Sequence, residues 1–241
     1  VKRRGWFYQL LQGARVCEDC ERYVITQTRI ARYVAKTAND CFAFENALQK
    51  GAGSRVDERE WIMDQQTQSV RSFYDQLSSD YDLLFDEAVR GRYAASFVDE
   101  LLQRFPAARR SADLACGSGV YAIEMAKRGL EVVGQDLSED MVQLAKRKSA
   151  GEAWSVDWQV GDMTTFACEK PLDVILCMGN SLPHLTRRED VERMFNHVRD
   201  ALSPGGIFVI NLLNYEKILR KRERVLSIDK PDDQREFIRF Y

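Results

Sequence analysis

From residue 106 onward, short apolar runs alternate with amphipathic helical stretches, and this alternation constrains the fold more than any other feature. "SADLA" reads as a strand, "VYAIEMAKRG" as a helix, "EVVGQD" as a strand, and "SEDMVQLAKRKSA" as a helix that Ser138 caps. "SVDWQVGD" reads as strand and turn, and "LDVILCMG" as a strand buried on both faces. "TRREDVERMFNHVRDALS" reads as a helix opened by a Thr186-x-x-Glu189 capping box. The turn "SPGG" then leads into a fifth strand, "IFVINLL". Strands that alternate with helices in this way predict an α/β, Rossmann-like, doubly wound and mostly parallel sheet with helices on both faces. The tail "RVLSIDKPDDQREFIRFY" predicts the beginning of further antiparallel strands, incomplete at Tyr241 as in a truncated chain.

Upstream the pattern is helical. Residues 6–50 hold no proline, and apolar positions recur at helical spacing through Leu10, Ala14, Cys17 and Val24, then Ile30, Val34, Ala38, Cys41 and Leu48. This predicts a helical extension over 1–56, suited to dimerisation or to a partner, ending at the flexible "KGAGSR". Residues 57–105 predict several helices with acidic starts and an aromatic stripe of Phe73, Tyr74, Leu77, Tyr81 and Leu84, closed by Pro106. Three parts result: an N-terminal extension at 1–56, a helical segment at 57–105, and the alternating domain at 106–241.

Composition narrows the function. At 45% hydrophobic and 30% charged residues, the 241-residue chain is globular rather than disordered. A net charge of −2 argues against a polyanion as the main partner. No stretch reaches the ~20 apolar residues of a membrane-spanning helix, and the N-terminus lacks a signal-like apolar run. Six cysteines are scattered through apolar contexts, as expected of reduced thiols, so the cytoplasm is the expected location. Cys17-x-x-Cys20 with Cys41 suggests a zinc site, but both histidines, His184 and His197, lie in the other half of the sequence, so no metal is expected.

The first strand-to-helix loop, Gly117-Ser-Gly119-Val-Tyr-Ala122, has the G-x-G-x-x-A spacing of a nucleotide-type cofactor loop. A pyrophosphate would sit at the helix N-terminus. Here Asp113 precedes the glycines and no lysine or arginine enters the loop, so a phosphate would be repelled. The arrangement suits a ligand with a cationic head and no phosphate, such as S-adenosylmethionine, with Gly117 and Gly119 allowing close backbone approach. Asp136, ending the second strand, suits ribose hydroxyls. Asp162 and Met163, after the third strand, offer an acceptor and an apolar wall for adenine.

With these residues in view, D-L-A-C-G-S-G (113–119), Asp136, Gly161-Asp162-Met163 and Ser-Pro-Gly-Gly (203–206) together resemble the motif set of class I S-adenosylmethionine-dependent methyltransferases. The resemblance covers roughly 70–241. "FYDQLSSDYDLLFD" (73–86) resembles the N-terminal lid helix of that family, and "GNSLPHL" (179–185) with "INLLNYEKIL" (210–219) resembles its glycine N-methyltransferase-like branch, which modifies small amines. It implies cofactor contacts from Asp113, Ala115, Cys116, Gly117, Gly119, Asp136, Leu137, Asp162, Met163, Cys177, Met178 and Asn180, a small-molecule methyl acceptor, and no membrane partner.

Methyl transfer depends largely on positioning. A base is needed only when the acceptor binds protonated. Candidates to act near the methyl are His184, Asn180 and Ser181 after the fourth strand, Tyr74 and Tyr81 on the lid, and Tyr215 after the fifth strand. Each has a plainer role: helix-opening loop residue for His184, Asx turn for Asn180, helix packing for the tyrosines. The alternatives in function are an S-adenosylmethionine-binding sensor or scaffold that interacts through its N-terminal helices, and a nucleic-acid methyltransferase. The second is disfavoured because "MGNSLPHL" lacks a base-holding loop and no Pro-Cys nucleophile exists.

Overall fold

The computed structural model describes residues 16–17, 22–23, 56–84, 87–221, 225–229 and 237–240. Within the predicted N-terminal helical extension it shows a short antiparallel pair, β1 (Val16–Cys17) and β2 (Arg22–Tyr23), where the spacing predicted helix. Backbone groups there are satisfied across a strand pair rather than along a helix, so apolar spacing alone misled. The rest of that extension, and with it dimerisation and the Cys20 and Cys41 positions, lies outside the described residues.

Three helices follow: α1 (Val56–Leu77), the single turn α2 (Tyr81–Leu84) and α3 (Glu87–Arg104). The alternating region contains β3 (Arg110–Leu114), α4 (Val120–Lys127), β4 (Glu131–Asp136), α5 (Glu139–Lys148), β5 (Val156–Val160), β6 (Leu172–Cys177), α6 (Arg188–Ala201) and β7 (Leu202–Ile210). α7 (Tyr215–Lys221) precedes β8 (Val225–Asp229) and β9 (Phe237–Phe240). The last two pair antiparallel as a separate two-stranded sheet, in line with the tail's strand pattern. No helix among the described residues is long and apolar enough to cross a membrane.

The main sheet has the order β5-β4-β3-β6-β7, every pairing parallel. Both faces are buried, and side-chain alternation divides them. Ala112, Leu114, Ile175, Cys177, Phe208 and Ile210 meet Val191, Met194 and Val198 of α6 on one face. Val174, Leu176, Ile207 and Val209 meet Val98 and Leu101 of α3 and Ala122 and Met125 of α4 on the other. The chain leaves β3 for β4 and β5, then crosses back to β6 and β7. This reversal opens a crevice at the carboxyl end of β3, where open α/β sheets hold ligands.

Some local readings are corrected. α6 starts at Arg188, with Arg187 at the N-cap and no side-chain cap, so Thr186 and Glu189 do not form a capping box. Ser138 caps α5 as expected, accepting from Met141 N at 3.1 Å. Ser-Pro-Gly-Gly forms a bulge inside β7: pairing jumps from Leu172↔Leu202 to Val174↔Ile207. Asp173 staples that region, accepting Arg109 N at 2.8 Å, Arg110 N at 3.0 Å and Ser203 Oγ at 3.0 Å. A Cβ on Gly206 would come 2.8 Å from the Leu172 carbonyl oxygen, so the bulge requires glycine there.

Gly119 also serves packing. Its φ is +81°, and a Cβ would lie 2.4 Å from Cη2 of Trp158, whose indole rests over both Gly119 and Gly134. Gly119→Ala is expected to lower stability by about 2–4 kcal/mol, combining left-handed strain with overpacking. Gly129→Ala, at φ +84° with nothing within 4 Å of the added carbon, should lose only the strain, about 1–2 kcal/mol. Urea unfolding of both variants checks this, and equal losses would remove Trp158 from the account.

Candidate functional site

The loop leaving β3 has three left-handed residues: Ala115 (φ 54°), Gly117 (φ 55°) and Gly119 (φ 81°). Ala115 carries backbone strain that a side-chain-bearing residue rarely adopts. The loop is held from two sides. Cys116 N donates to Gln135 O at 3.0 Å, and Gly117 N donates to Asp136 Oδ2 at 2.7 Å. Asp136 Oδ1 accepts Ser138 N at 2.9 Å. Burial pushes the Asp136 carboxyl up, and the amides of Ser138 and Gly117 pull it back. Ser138 Oγ donates onward to Asp75 Oδ1 at 2.5 Å, joining α1 to this network.

Asp113 lies on β3 beside this loop and differs in one respect. It is 1% exposed, and its Oδ2 has no hydrogen-bond partner. Burial raises its carboxyl to about 7, opposed by the Ala122 amide and the Arg90 guanidinium. A buried, incompletely satisfied carboxylate is costly unless a cation completes it.

A cavity of about 1170 Å³, counting its mouth, opens over these residues. Its floor includes Asp113, Ala115, Cys116, Gly117, Asp136, Leu137, Gly161, Asp162 and Met163. Asp162 caps the 3-10 turn Met163–Thr165 by accepting Thr164 N at 2.7 Å. Tyr74 and Tyr81 come from the roof, and Met178, Ser181 and His184 from the loop after β6.

The Tyr74 hydroxyl and His184 Nε2 share a hydrogen bond of 2.9 Å, their rings edge to face at 5.5 Å. Burial pushes the Tyr74 hydroxyl up and His184 down, so both are neutral at pH 7. Tyr81 lies over the glycine loop, its hydroxyl 3.3 Å from where a Gly117 Cβ would sit. The Arg90 guanidinium sits 4.9 Å from the Tyr81 ring centre.

Three expected contacts do not line the cavity. Gly119 packs against Trp158, as described. Cys177 is fully buried in the core, its thiol pushed up to about 12. Asn180, at φ 69°, uses its side chain to tie the β6 loop to the segment after β7: Nδ2 donates to Tyr215 Oη at 2.8 Å and Oδ1 accepts Leu213 N at 3.0 Å. Tyr215 is thereby engaged with Asn180, outside the cavity lining. Burial pushes the Cys116 thiol well above its usual range, so it is no nucleophile.

The sequence reading missed Arg90, Asp190, Thr67 and Val70, all of which line the cavity. Arg90 and Val70 lie on helices whose faces are set by tertiary packing, and no local spacing marks them. Asp190 looks in sequence like an ordinary acid in the first turn of a helix.

Comparisons with known proteins fit this geometry. A family model described as a methyltransferase domain matches residues 112–206. A dTDP-4-amino-2,3,4,6-tetradeoxy-D-glucose N,N-dimethyltransferase of Saccharopolyspora spinosa is 30% identical over 139 residues, covering 55% of this chain and 54% of that protein. A glycine/sarcosine N-methyltransferase of Halorhodospira halochloris is 29% identical over 156 residues, covering 62% and 56%. The crystal structure of an S-adenosylmethionine-dependent methyltransferase from Clostridium acetobutylicum shares the fold, with a TM-score of 0.56 at 22% identity over 66% of this chain and 65% of that one. The chain spans little more than half the length of the curated relatives it matches.

Asp113 yields a stability test. Its folded carboxyl is raised above the unfolded value of about 3.9, so ionising it destabilises the fold increasingly from pH 4 to 7 and fully above that. Asp113→Asn is therefore expected to be more stable than the parent at pH 8, by about 1–3 kcal/mol. The gain should shrink below pH 7 and vanish near pH 4. Urea midpoints at three pH values measure it, and a pH-independent difference would contradict the assignment.

Proposed function

We propose that the methyltransferase domain this chain carries transfers a methyl group from S-adenosylmethionine to the nitrogen of a small amine. Asp113 carries the reading: a buried carboxylate with an unsatisfied oxygen at the carboxyl end of the central strand calls for a cation. The cofactor's ammonium is such a cation, and Arg90, whose charge acts on Asp113, suits the neighbouring carboxylate. The lining supports the same polarity, with the carboxylates of Asp113, Asp136, Asp162 and Asp190 against the single guanidinium of Arg90 among the described residues. Asp136 keeps a second lone pair on each oxygen for ribose hydroxyls, while Leu137, Met163 and Met178 supply apolar wall. The two curated relatives described above are named as N-methyltransferases, which supports nitrogen as the acceptor atom.

When bound, S-adenosylmethionine supplies an electrophilic methyl on a sulfonium. The chain's own task is to present a neutral amine in line and to take the proton the amine loses. His184 suits the second part, since burial keeps its ring neutral. Tyr74 fixes the ring through Nε2 and stays protonated. Tyr81 and α1 roof the cavity and exclude water.

The deciding experiment is incubation with methyl-labelled S-adenosylmethionine and a panel of small amines, expected to give labelled N-methyl product. Cofactor binding without transfer to any acceptor would instead make the chain a sensor. His184→Gln is expected to lower kcat/KM by about 100-fold while leaving the Kd for S-adenosylhomocysteine unchanged. That Kd should itself rise about tenfold from pH 8 to pH 6 in the parent protein, because the ligand's ammonium needs the ionised form of Asp113. Asp113→Asn should bind weakly and without this pH dependence in calorimetry.

A further inference from the structure

Tyr81 and Arg90, which cover the glycine loop, stand on a stretch of chain that packing holds weakly. α3 is anchored by its second half: its first buried residue is Ala94, Val98 and Leu101 join the core with α4, and Asp99 pairs with Arg128 at the end of α4 at 2.6 Å. Ahead of Ala94, none of the described side chains of 81–83 and 87–93 is fully buried. Lys148, the last residue of α5, reaches this stretch, its Nζ 2.7 Å from Asp82 Oδ2 and 2.6 Å from Glu87 Oε1. A lysine in the last turn of a helix ordinarily serves the negative end of the helix dipole, and Lys146 and Arg147 fill that role as well. Two observations go beyond it. Lys148 joins carboxylates from two other elements while its side chain is only 18% exposed. Asp82 Oδ1 is buried without a hydrogen-bond partner, so Lys148 is the counterion that keeps this carboxylate against the protein. Without the lysine a part-buried carboxylate stands unpaired, and water relieves it if α2 swings outward.

We propose that Lys148 is a positioning residue for cofactor binding: from outside the cavity it clamps Asp82 and Glu87, and so holds Tyr81 and Arg90 over the glycine loop. The proposal rests on the methyl-transfer reading, in which Asp113 and Arg90 take the ammonium and the carboxylate of the cofactor. Both arms of the clamp are short. Asp82 adjoins Tyr81 in the chain, and Glu87 stands about one helical turn before Arg90 on α3. The Tyr81 hydroxyl lies 3.3 Å from where a Gly117 Cβ would sit, and Arg90 stacks on Tyr81 and acts on Asp113. The adenosine end is built differently. Asp136 is fixed by the amides of Gly117 and Ser138 and Asp162 by that of Thr164, bonds that involve neither α2 nor α3. Loss of the clamp therefore weakens recognition of the amino-acid end of the cofactor and spares the adenosine end.

Calorimetry with two ligands separates the two ends: S-adenosylhomocysteine, which carries the amino and carboxyl groups, and methylthioadenosine, which lacks both. Lys148→Met is expected to raise the Kd for S-adenosylhomocysteine about tenfold or more and to change that for methylthioadenosine by less than about twofold. Lys148→Arg, which keeps the charge, should hold both ligands near the parent affinity. Asp82→Asn should weaken S-adenosylhomocysteine in the same selective way, and adding it to Lys148→Met should cost little more than Lys148→Met alone, because the two act as one pair. Unchanged S-adenosylhomocysteine affinity in Lys148→Met overturns this inference alone, as does equal weakening of both ligands, which is what a general loss of structure gives. Failure of the parent protein to bind S-adenosylhomocysteine overturns the reading beneath it as well.

Discussion

The Asp136 carboxylate accepts the amide of Gly117 through one oxygen and the amide of Ser138 through the other, and the floor of the cavity follows from that bridge. Gly117 belongs to the loop after β3, and Ser138 is the cap of the helix after β4. One side chain therefore fixes the relative height of two strand-end loops that the backbone alone would leave independent. Both bonds are charge-assisted and both groups are buried, so each is stronger than an exposed neutral contact. The left-handed conformations at Ala115 and Gly117 persist because Asp136 and the Gln135 carbonyl hold the loop between them.

Asp113 and Asp136 are the same residue type at the ends of adjacent strands, and the fold treats them oppositely. Asp136 is satisfied by backbone. Asp113 receives the Ala122 amide and keeps an unsatisfied oxygen, so its proton is held to about 7. The difference is topological. Asp136 ends its strand just ahead of a helix cap, where amides converge. Asp113 lies one residue inside the central strand, paired between Gly134 and Leu176, where backbone donors are already used in the sheet. A carboxylate in that position lowers stability, and natural sequences retain such groups where a ligand repairs the deficit.

The parallel sheet was legible because its strands are buried on both faces and read as unbroken apolar runs, and because helix periodicity separates them. Ser138 and Asp136 were legible because capping and strand-end chemistry are local. Gly119 has a packing role the sequence does not reveal: a left-handed glycine in this loop has the same sequence appearance whether it admits a ligand or the Trp158 indole from a strand two positions away in the sheet. The Thr186-x-x-Glu189 spacing failed because the helix starts one turn position later than the motif requires, at Arg188. Asn180 was placed at the right loop, yet its amide turned out to bind Tyr215 and the Leu213 amide, partners brought close by β7. Arg90 carried no local signal at all. Its place at the cavity depends on how α3 packs against α4, which is a property of the assembled core.

The roof depends on α5, which is itself positioned by Asp136. At one end of α5, buried Ser138 receives α1 through Asp75. At the other, Lys148 holds Asp82 of α2 at 2.7 Å and Glu87 of α3 at 2.6 Å. These attachments differ in strength. The Ser138–Asp75 contact and the Lys148–Asp82 pair are part-buried, whereas Glu87 is 58% exposed and exposed ion pairs contribute only ~0–1 kcal/mol. Tyr74 is the immediate neighbour of Asp75 on α1, so the contact that seats the helix also sets the Tyr74–His184 hydrogen bond. The roof is consequently pinned on both sides, by Ser138 and Asp75 beside that pair and by Lys148 with Asp82 and the Arg90–Tyr81 stack over the glycine loop.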